Sequence, residues 1–268
     1  MTQHPYSNLP ENAFWKTAIS TRHPMDIADL ARPIVLSRQD RIATAGSCFA
    51  QHIGNNLAAR GAAFMDLEPG PTGWSPEVLR EHGFGVYSCR YGNIYSTRQL
   101  LQLATEAIGG GPLRHEVWLR DGRAFDAFRP SVDPVGHDSA EDILRLREAH
   151  IAAVRRLFCE LDVFVFTLGL TEAWEHRVTG QVYPAAPGTI AGSHDPDEVG
   201  FVNFRYSDVM SDLQAFWALL KAADPGDARR AGPGPWRWHA ARRLVGQRVP
   251  DLGRRLRHHQ PPRGRGLG

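Results

Sequence analysis

The feature that most constrains this chain is a strand-like segment that runs directly into a Gly-Ser turn and a helix. The apolar run Ile42–Ala45 ends in Gly46-Ser47, and an amphipathic segment follows at residues 51–60. This order predicts a β-strand, a tight turn and the start of an α-helix, the unit from which α/β folds are built. Gly46 fits the turn because it can adopt a close or left-handed backbone that a residue with a Cβ resists.

Ser47 has two interpretations at this junction. Open α/β folds place their ligands at the carboxyl edge of the sheet, and the N–H groups at the start of the following helix suit an oxyanion. Ser47 is therefore a candidate nucleophile. The alternative is structural: serine is a preferred N-cap residue, so Ser47 would only begin the helix.

A second strand end is expected beside the first. Residues 163–168 form a continuous apolar run, which predicts a central parallel strand covered on both faces. Gly169 ends the run, and residues 171–174 are predicted as the loop beyond it. The fold class is therefore α/β. Further patterns predict three helices, at residues 97–108, 139–161 and 206–223. Asp121-Gly122 predicts a hairpin turn. Residues 183–200 are predicted as a long loop that serves as a lid or rim.

Composition sets limits on the compartment and the cofactors. The 268 residues contain no apolar run of about 18 residues, so no transmembrane helix and no membrane partner are predicted. The N-terminus lacks the basic start and apolar core of a secretory signal. Three cysteines without metal-type spacing favour a reducing compartment, and the predicted location is the cytoplasm. No motif for a phosphate, zinc or dinucleotide site is present, so no metal and no cofactor are predicted.

The net charge of +2 conceals two unlike segments. Residues 225–268 contain 11 Arg, no Lys and 2 Asp, a net charge of +9, so residues 1–224 carry −7. An acidic body argues against nucleic acid as the partner of that body. The basic segment is open to three interpretations: an arm that binds nucleic acid, a solvated tail without a role, or an out-of-frame translation.

Four blocks of residues resemble one bacterial family. Gly46-Ser47-Cys48-Phe49-Ala50 matches the five-letter signature of the GSCFA family, which is similar to SGNH hydrolases. The similarity continues through His4-Pro5-Tyr6 near the start, through residues 85–100 with Tyr91-Gly92-Asn93-Ile94-Tyr95, and through residues 166–174 with Thr167-Leu168-Gly169-Leu170-Thr171-Glu172-Ala173-Trp174.

The resemblance implies a three-layer α/β/α fold of the SGNH-hydrolase type with a mostly parallel sheet. It covers roughly residues 4–223 and stops after Ala223-Asp224-Pro225, which favours the out-of-frame interpretation of the tail. The expected organisation is an N-terminal arm packed on the domain at 1–40, an incomplete GSCFA domain at 41–224, and a basic tail at 225–268 that is disordered or out of frame.

The resemblance also implies residue roles. Ser47 would attack an ester carbonyl, and the N–H of Ser47, Gly92 or Asn93, and the Thr171 hydroxyl would form the oxyanion hole. Thr171-Glu172 stands where ordinary SGNH enzymes have an Asn-Asp pair. A threonine hydroxyl reaches less far from the backbone as a hydrogen-bond donor than an asparagine amide does. The late Asp-x-x-His that supplies the base is missing.

Several further residues have competing interpretations. Cys48, at a helix start, is either an activated thiol or a small packing residue. Glu172 and Trp174 are candidates for lining a substrate pocket. Trp174 fits equally well as a residue of the hydrophobic core. Among the histidines, His52 is interpreted as a surface or packing residue and His194 as a weak substitute base. The tail offers Asp251 and three histidines, at 239, 258 and 259, none in the expected arrangement.

The expected function is therefore a serine ester hydrolase or acyltransferase that acts on a small-molecule or carbohydrate ester. The alternative is a binding module of the same fold without catalysis, because no catalytic histidine is evident.

Overall fold

The computed structural model describes residues 4–26 and 36–223. The chain divides into two compact units, Met1–Ser37 and Arg38–Gly268. The larger unit is a mixed α/β structure, as predicted. Its helices and strands, in chain order, are β1 (Ile42–Ala45), α1 (Cys48–Ala59), α2 (Pro76–Glu81), α3 (Thr97–Ala107), β2 (Val117–Arg120), β3 (Arg123–Asp126), α4 (Ala140–Glu160), β4 (Val163–Phe166), β5 (Glu172–His176), β6 (Val182–Tyr183), β7 (Val199–Asn203) and α5 (Tyr206–Ala223).

The parallel pair of β1 and β4 contributes residues of both strands to the main apolar core of this unit. The register joins Ile42 to Val163 and Ala45 to Phe166. On its other side β1 forms a parallel bridge with Phe64. Every residue of β1 is buried, so both faces of that strand are covered. The two strands run in the same direction, which brings their carboxyl ends together.

Strand β4 differs from its prediction in length and burial. It ends at Phe166, two residues early, because the Thr167 N–H makes the last bond to β1, at 3.2 Å from the Ala45 oxygen. Among the described residues β4 pairs with β1 alone, and Val163, Phe164 and Val165 are only half-buried. The prediction of a strand covered on both faces was therefore wrong for β4.

Three helices form the core with these strands, as their apolar spacing predicted. Helix α3 begins with a capping box in which Ser96 and Gln99 satisfy each other's backbone N–H groups. The Ser139 side chain caps α4 at the Asp142 N–H, at 3.1 Å. Aromatic rings of α4, β4 and α5 meet in this core, at Phe158, Phe164 and Phe216.

The hairpin was predicted correctly. Strands β2 and β3 pair in antiparallel register, and both turn residues have positive φ, 51° at Asp121 and 72° at Gly122. These are the angles that Asp-Gly turns adopt between twisted strands.

The region after Gly169 corrects the predicted loop at 171–174. Residues Glu172–His176 form β5, the middle strand of a three-stranded antiparallel sheet with β6 and β7. The partner β7 starts 23 residues after β5 ends, so this ladder was not visible in the local pattern. Much of the loop at 183–200 remains irregular between β6 and β7.

The described residues of the smaller unit include three short helical turns, at Glu11–Ala13, Lys16–Ser20 and Pro24–Asp26. The basic tail lies outside the described residues, so the predictions about it stay predictions. No helix of the described chain is long and apolar enough to span a membrane.

Candidate functional site

The ends of β1 and β4 meet in a contact that only glycine permits. Gly46 has φ +136°, and a Cβ there would lie 2.2 Å from Thr167 Oγ1. With that space free, the Ser47 N–H donates a hydrogen bond of 3.1 Å to Thr167 Oγ1. The close turn expected at Gly46 is therefore present, and it places Ser47 against the end of β4.

Ser47 precedes α1 without capping it. Its backbone is extended, with φ −86° and ψ −176°, as at an N-cap residue, but its side chain accepts no capping hydrogen bond. The residue is half-buried. Ser47 is therefore the N-cap residue by position, its carbonyl accepts from the Ala50 N–H at 2.9 Å, and its hydroxyl makes no capping hydrogen bond at this partly positive helix end. Both interpretations of Ser47 stay open.

The segment 91–95 is held between the two strand ends. The Ile94 N–H donates to the Gly46 oxygen at 2.9 Å, and the Leu170 N–H donates to the Tyr95 oxygen at 2.9 Å. Gly169 makes the second contact possible, since a Cβ at that position would lie 2.9 Å from the same Tyr95 oxygen. Gly92 has φ +68°, a left-handed conformation that favours glycine.

The Asn93 side chain is a member of a hydrogen-bonded chain rather than a free amide. Its Oδ1 accepts from the Tyr87 hydroxyl, and its Nδ2 donates to the Tyr95 hydroxyl at 3.0 Å. Gln51, one helical turn after Ser47, donates to the Tyr87 hydroxyl at 2.9 Å. Burial raises the pKa of Tyr87 to about 12 despite the Gln51 hydrogen bond, so Tyr87 keeps its proton at neutral pH.

A cavity of about 110 Å³ opens beside Asn93 and Tyr95. The loop after β6 supplies part of its wall, so that loop forms a rim, as predicted. Ser47 does not line this cavity. The other lining residues are Tyr91, Arg129, Pro130, Ser131, Pro184, Ala185 and Ile190.

Thr171 is engaged away from Ser47. Its hydroxyl donates to Asn203 Oδ1 at 2.8 Å, on an exposed part of the second sheet. The hydroxyl of this region that contacts Ser47 is that of Thr167, four residues earlier. Because the Ser47 N–H and the Thr171 hydroxyl are both occupied, neither is a free oxyanion donor in this structure.

Glu172 and Trp174 lie on β5. Glu172 is exposed at the start of the strand. Trp174 is half-buried and packs edge-on against His194 and Phe201, with ring centroids 5.2 Å and 6.0 Å away. It belongs to the apolar cluster of Trp118 and other residues, which fits its interpretation as a packing residue.

The three cysteines differ in burial. Cys48 is exposed, so its interpretation as a packing residue was wrong. Cys89 is buried, and burial raises the pKa of its thiol far above the ordinary range. Only Cys48 is thus placed for chemistry at the helix start.

No histidine of the described segments is hydrogen-bonded to Ser47. His52 and His194 are exposed, and His194 lies against Trp174. His150 is fully buried and shares a hydrogen bond of 2.7 Å with Glu68 Oε2. Burial, together with the nearby Arg129, lowers the pKa of His150 to about 4, so the ring is neutral at pH 7. The histidines of the tail lie outside the described residues.

The described ranges contain no group of three or more His, Cys, Asp or Glu side chains that could hold a metal ion.

Comparison with known proteins shows the family of the chain. The GSCFA family model matches residues 41–229, more than two thirds of the sequence. The chain belongs to the GSCFA family. The match begins after the first 40 residues, so the resemblance of His4-Pro5-Tyr6 lies outside it, and it extends slightly past the predicted break at 223–225. No curated protein and no solved structure gives a significant match.

Sequence reasoning missed Gln51, Tyr87, Tyr95 and Thr167 as parts of the site. Tyr87, Tyr95 and Thr167 lie in the blocks that resemble the GSCFA family, which was the available signal. Their side chains meet only after folding, because 36 residues separate Gln51 from Tyr87 and 120 separate Ser47 from Thr167.

Proposed function

We propose that this GSCFA protein is a serine ester hydrolase or acyltransferase of the SGNH-like type, with Ser47 as the nucleophile. The observation that carries the proposal is the Ser47 hydroxyl, which stands at the junction of β1 and α1 without a capping bond. The three-layer SGNH-like fold is part of the same proposal. It is supported by the parallel pair β1 and β4 and by the burial of β1 on both faces.

In the proposed reaction Ser47 Oγ attacks the ester carbonyl carbon while a base takes the hydroxyl proton. The carbonyl oxygen gains negative charge, the alcohol then departs with a proton, and an acyl-serine remains. Water completes hydrolysis, or a second alcohol completes transfer. The first N–H groups of α1, those of Cys48 and Phe49, have no partner within the helix and support the oxyanion.

Ser47 does not line the cavity of about 110 Å³ beside Asn93 and Tyr95, so the acyl group of this proposal is not assigned to that space. An O-acylated carbohydrate as the carrier of the ester rests on family analogy alone.

The test is replacement of Ser47 by alanine in the full chain. With p-nitrophenyl acetate as substrate, we expect Ser47→Ala to lower kcat by at least about 10³-fold, because the nucleophile is lost. Labelling by a fluorophosphonate probe should also disappear. Cys48→Ala is the matched control, since Cys48 is the neighbouring exposed nucleophile.

Unchanged turnover and labelling in Ser47→Ala would contradict the role of Ser47. Loss of both in Cys48→Ala, but not in Ser47→Ala, would instead assign the nucleophile to the cysteine.

A second candidate is a non-catalytic binding module of the same fold. It is favoured by one observation, that no described histidine is hydrogen-bonded to Ser47. Binding of a short-chain ester without turnover, unchanged in Ser47→Ala, would support this function. Ser47-dependent turnover would exclude it.

A further inference from the structure

The buried ring of His150 has one nitrogen bonded and one nitrogen without a partner. The residue is 1 % exposed, and its Nδ1 lies 2.7 Å from Glu68 Oε2. The same Glu68 oxygen accepts from the Arg90 N–H at 2.6 Å, so it is an acceptor and His150 Nδ1 carries the hydrogen. In the neutral ring Nε2 is then left with a lone pair, which accepts a hydrogen bond.

This lone pair faces an internal cavity. His150 Nε2 makes no hydrogen bond within residues 4–26 and 36–223, and it is not one of the fully enclosed polar atoms of those ranges that lack a partner, so it reaches open space. The ring lines a cavity of about 30 Å³, together with the apolar Leu103, Phe128 and Val182. Such a volume holds roughly two water-sized groups. Since buried polar atoms are almost always hydrogen-bonded, a donor is expected in this space.

Gln99 and Arg114 supply donors to the same cavity, which both residues line. Gln99 Oε1 accepts from the Tyr95 N–H at 2.9 Å as part of the cap of α3, and the Gln99 amide nitrogen has no acceptor in the described ranges. Arg114 donates from Nε to Glu106 and from Nη1 to Gln102, which leaves its Nη2 without an acceptor in those ranges. The cavity therefore presents one acceptor and two donors.

The charges around the cavity are balanced. Three arginines line it, Arg114, Arg129 and Arg147. Three carboxylates pair with these arginines, Glu68, Glu106 and Asp126. A charged ligand would add a buried charge without a counter-charge, which is strongly unfavourable. The cavity is thus suited to a neutral ligand.

The larger cavity of about 110 Å³ adjoins this one, because Tyr91, Asn93 and Arg129 line both. The wall of the larger cavity is apolar at Pro184 and Ile190. A polar inner cavity next to a partly apolar outer one fits a molecule with a polar head and a short apolar chain.

We propose that the two cavities form a binding site for a small neutral molecule whose head group donates a hydrogen bond to His150 Nε2 and accepts from Gln99 and Arg114. A hydroxyl or a primary amide meets this requirement, because each both donates and accepts. A carboxylate does not, since it only accepts and carries a charge. Ser47 lines neither cavity, so this site is separate from the proposed nucleophile.

Propionamide and propionate test the chemistry of the head group, because the two molecules have nearly the same shape. In an NMR titration of the full chain we expect propionamide to bind with a roughly millimolar Kd, as is usual for so small a ligand, and to shift the side-chain amide signals of Gln99. Propionate should bind at least about tenfold more weakly, because its charge is unpaired and it offers no donor to His150.

Two variants test the residues that hold the head group. His150→Asn places an amide nitrogen where Nδ1 stands, so the bond to Glu68 is kept while Nε2 is removed. Gln99→Glu keeps the oxygen that caps α3 and removes the donor. Each variant should weaken propionamide binding by at least about fivefold. His52→Asn, at an exposed position on α1, is the control and should bind as wild type does.

The possible results decide the proposal. A folded His150→Asn variant that binds propionamide as tightly as wild type would overturn it, and if that variant does not fold, unchanged binding by Gln99→Glu would do so. Equal binding of propionate would show that the site does not select a neutral head group. The absence of any propionamide binding would leave the cavities to water alone, and the proposal would fail.

Discussion

At the residue scale, position 46 has room for glycine alone. The Cβ of any other residue would meet Thr167 Oγ1 at 2.2 Å and the Thr167 backbone at 3.0 Å, and φ there is +136°. We expect Gly46→Ala to lower the free energy of unfolding by about 2 kcal/mol or more, because backbone strain and the clash add. The displaced β4 end should also abolish Ser47-dependent turnover. Urea denaturation and the p-nitrophenyl acetate assay measure the two effects.

Gly61→Ala separates the clash from the backbone conformation. Gly61 has φ +71° but nothing within 4 Å of a Cβ. This variant should lose about 1–2 kcal/mol and keep its turnover. Equal losses of stability and activity in the two variants would show that contact with Thr167 is irrelevant.

The residues of the junction were predictable to different degrees. Gly46 and Ser47 follow from a local pattern, because a strand, a turn and a helix are contiguous in the chain. Tyr95 does not, since the cavity that it lines exists only where the later loop with Pro184, Ala185 and Ile190 folds back against it. Thr171 was assigned from the family pattern, and the pairing of β5 with β7 binds it to Asn203 instead.

At the scale of elements, Arg147 joins α4 to α3 and β3. It is 2 % exposed, its Nε lies 3.1 Å from Glu106 Oε1, and its Nη1 lies 3.2 Å from Asp126. Although burial alone would raise the pKa of Asp126, Arg147 and Arg129 lower it to about 2, so the carboxylate is charged. We expect Arg147→Met to reduce the free energy of unfolding by about 3–5 kcal/mol, because two buried carboxylates lose a partner.

Arg145→Met is the matched control on the same helix. The Arg145 side chain is 73 % exposed, and its ion pair with Asp142 lies at the surface. Its loss should change stability by less than about 1 kcal/mol. If Arg147→Met were no more destabilising than Arg145→Met in thermal and urea unfolding, the buried network would have no structural role.

This network marks the limit of sequence reasoning about the elements. The apolar spacing of α3, α4 and α5 predicted which helices exist, because apolar periodicity reports the buried face directly. The same periodicity treats arginine and glutamate as surface residues, which they usually are. The burial of Arg147, Glu106 and Asp126 depends on contacts between distant elements and has no local signature.

At the scale of the whole molecule, His150 makes stability depend on pH. The ring is 1 % exposed on α4 and is bound to Glu68; Tyr91, Arg129 and Arg147 also face it. Burial first, and Arg129 next, lower its pKa from 6.5 to about 4. Between about pH 6.5 and 4 the unfolded chain therefore binds a proton at His150 and the folded chain does not. The free energy of unfolding falls as the pH falls through this window.

The expected loss is about 3 kcal/mol, from a pKa difference of roughly 2.5. The pKa of Glu68 is lowered from 4.5 and that of Asp126 from 3.8, so both carboxylates contribute at more acidic pH. His150→Gln should remove the dependence between pH 6.5 and 4.5, whereas His52→Gln, at an exposed position, should retain it. Unfolding free energies at half-unit pH intervals measure the slopes. If the free energy of unfolding changed with pH equally in wild type and His150→Gln, the buried ring would bind its proton as readily as the unfolded chain does. Glu68 would then hold a charged imidazolium in the folded protein.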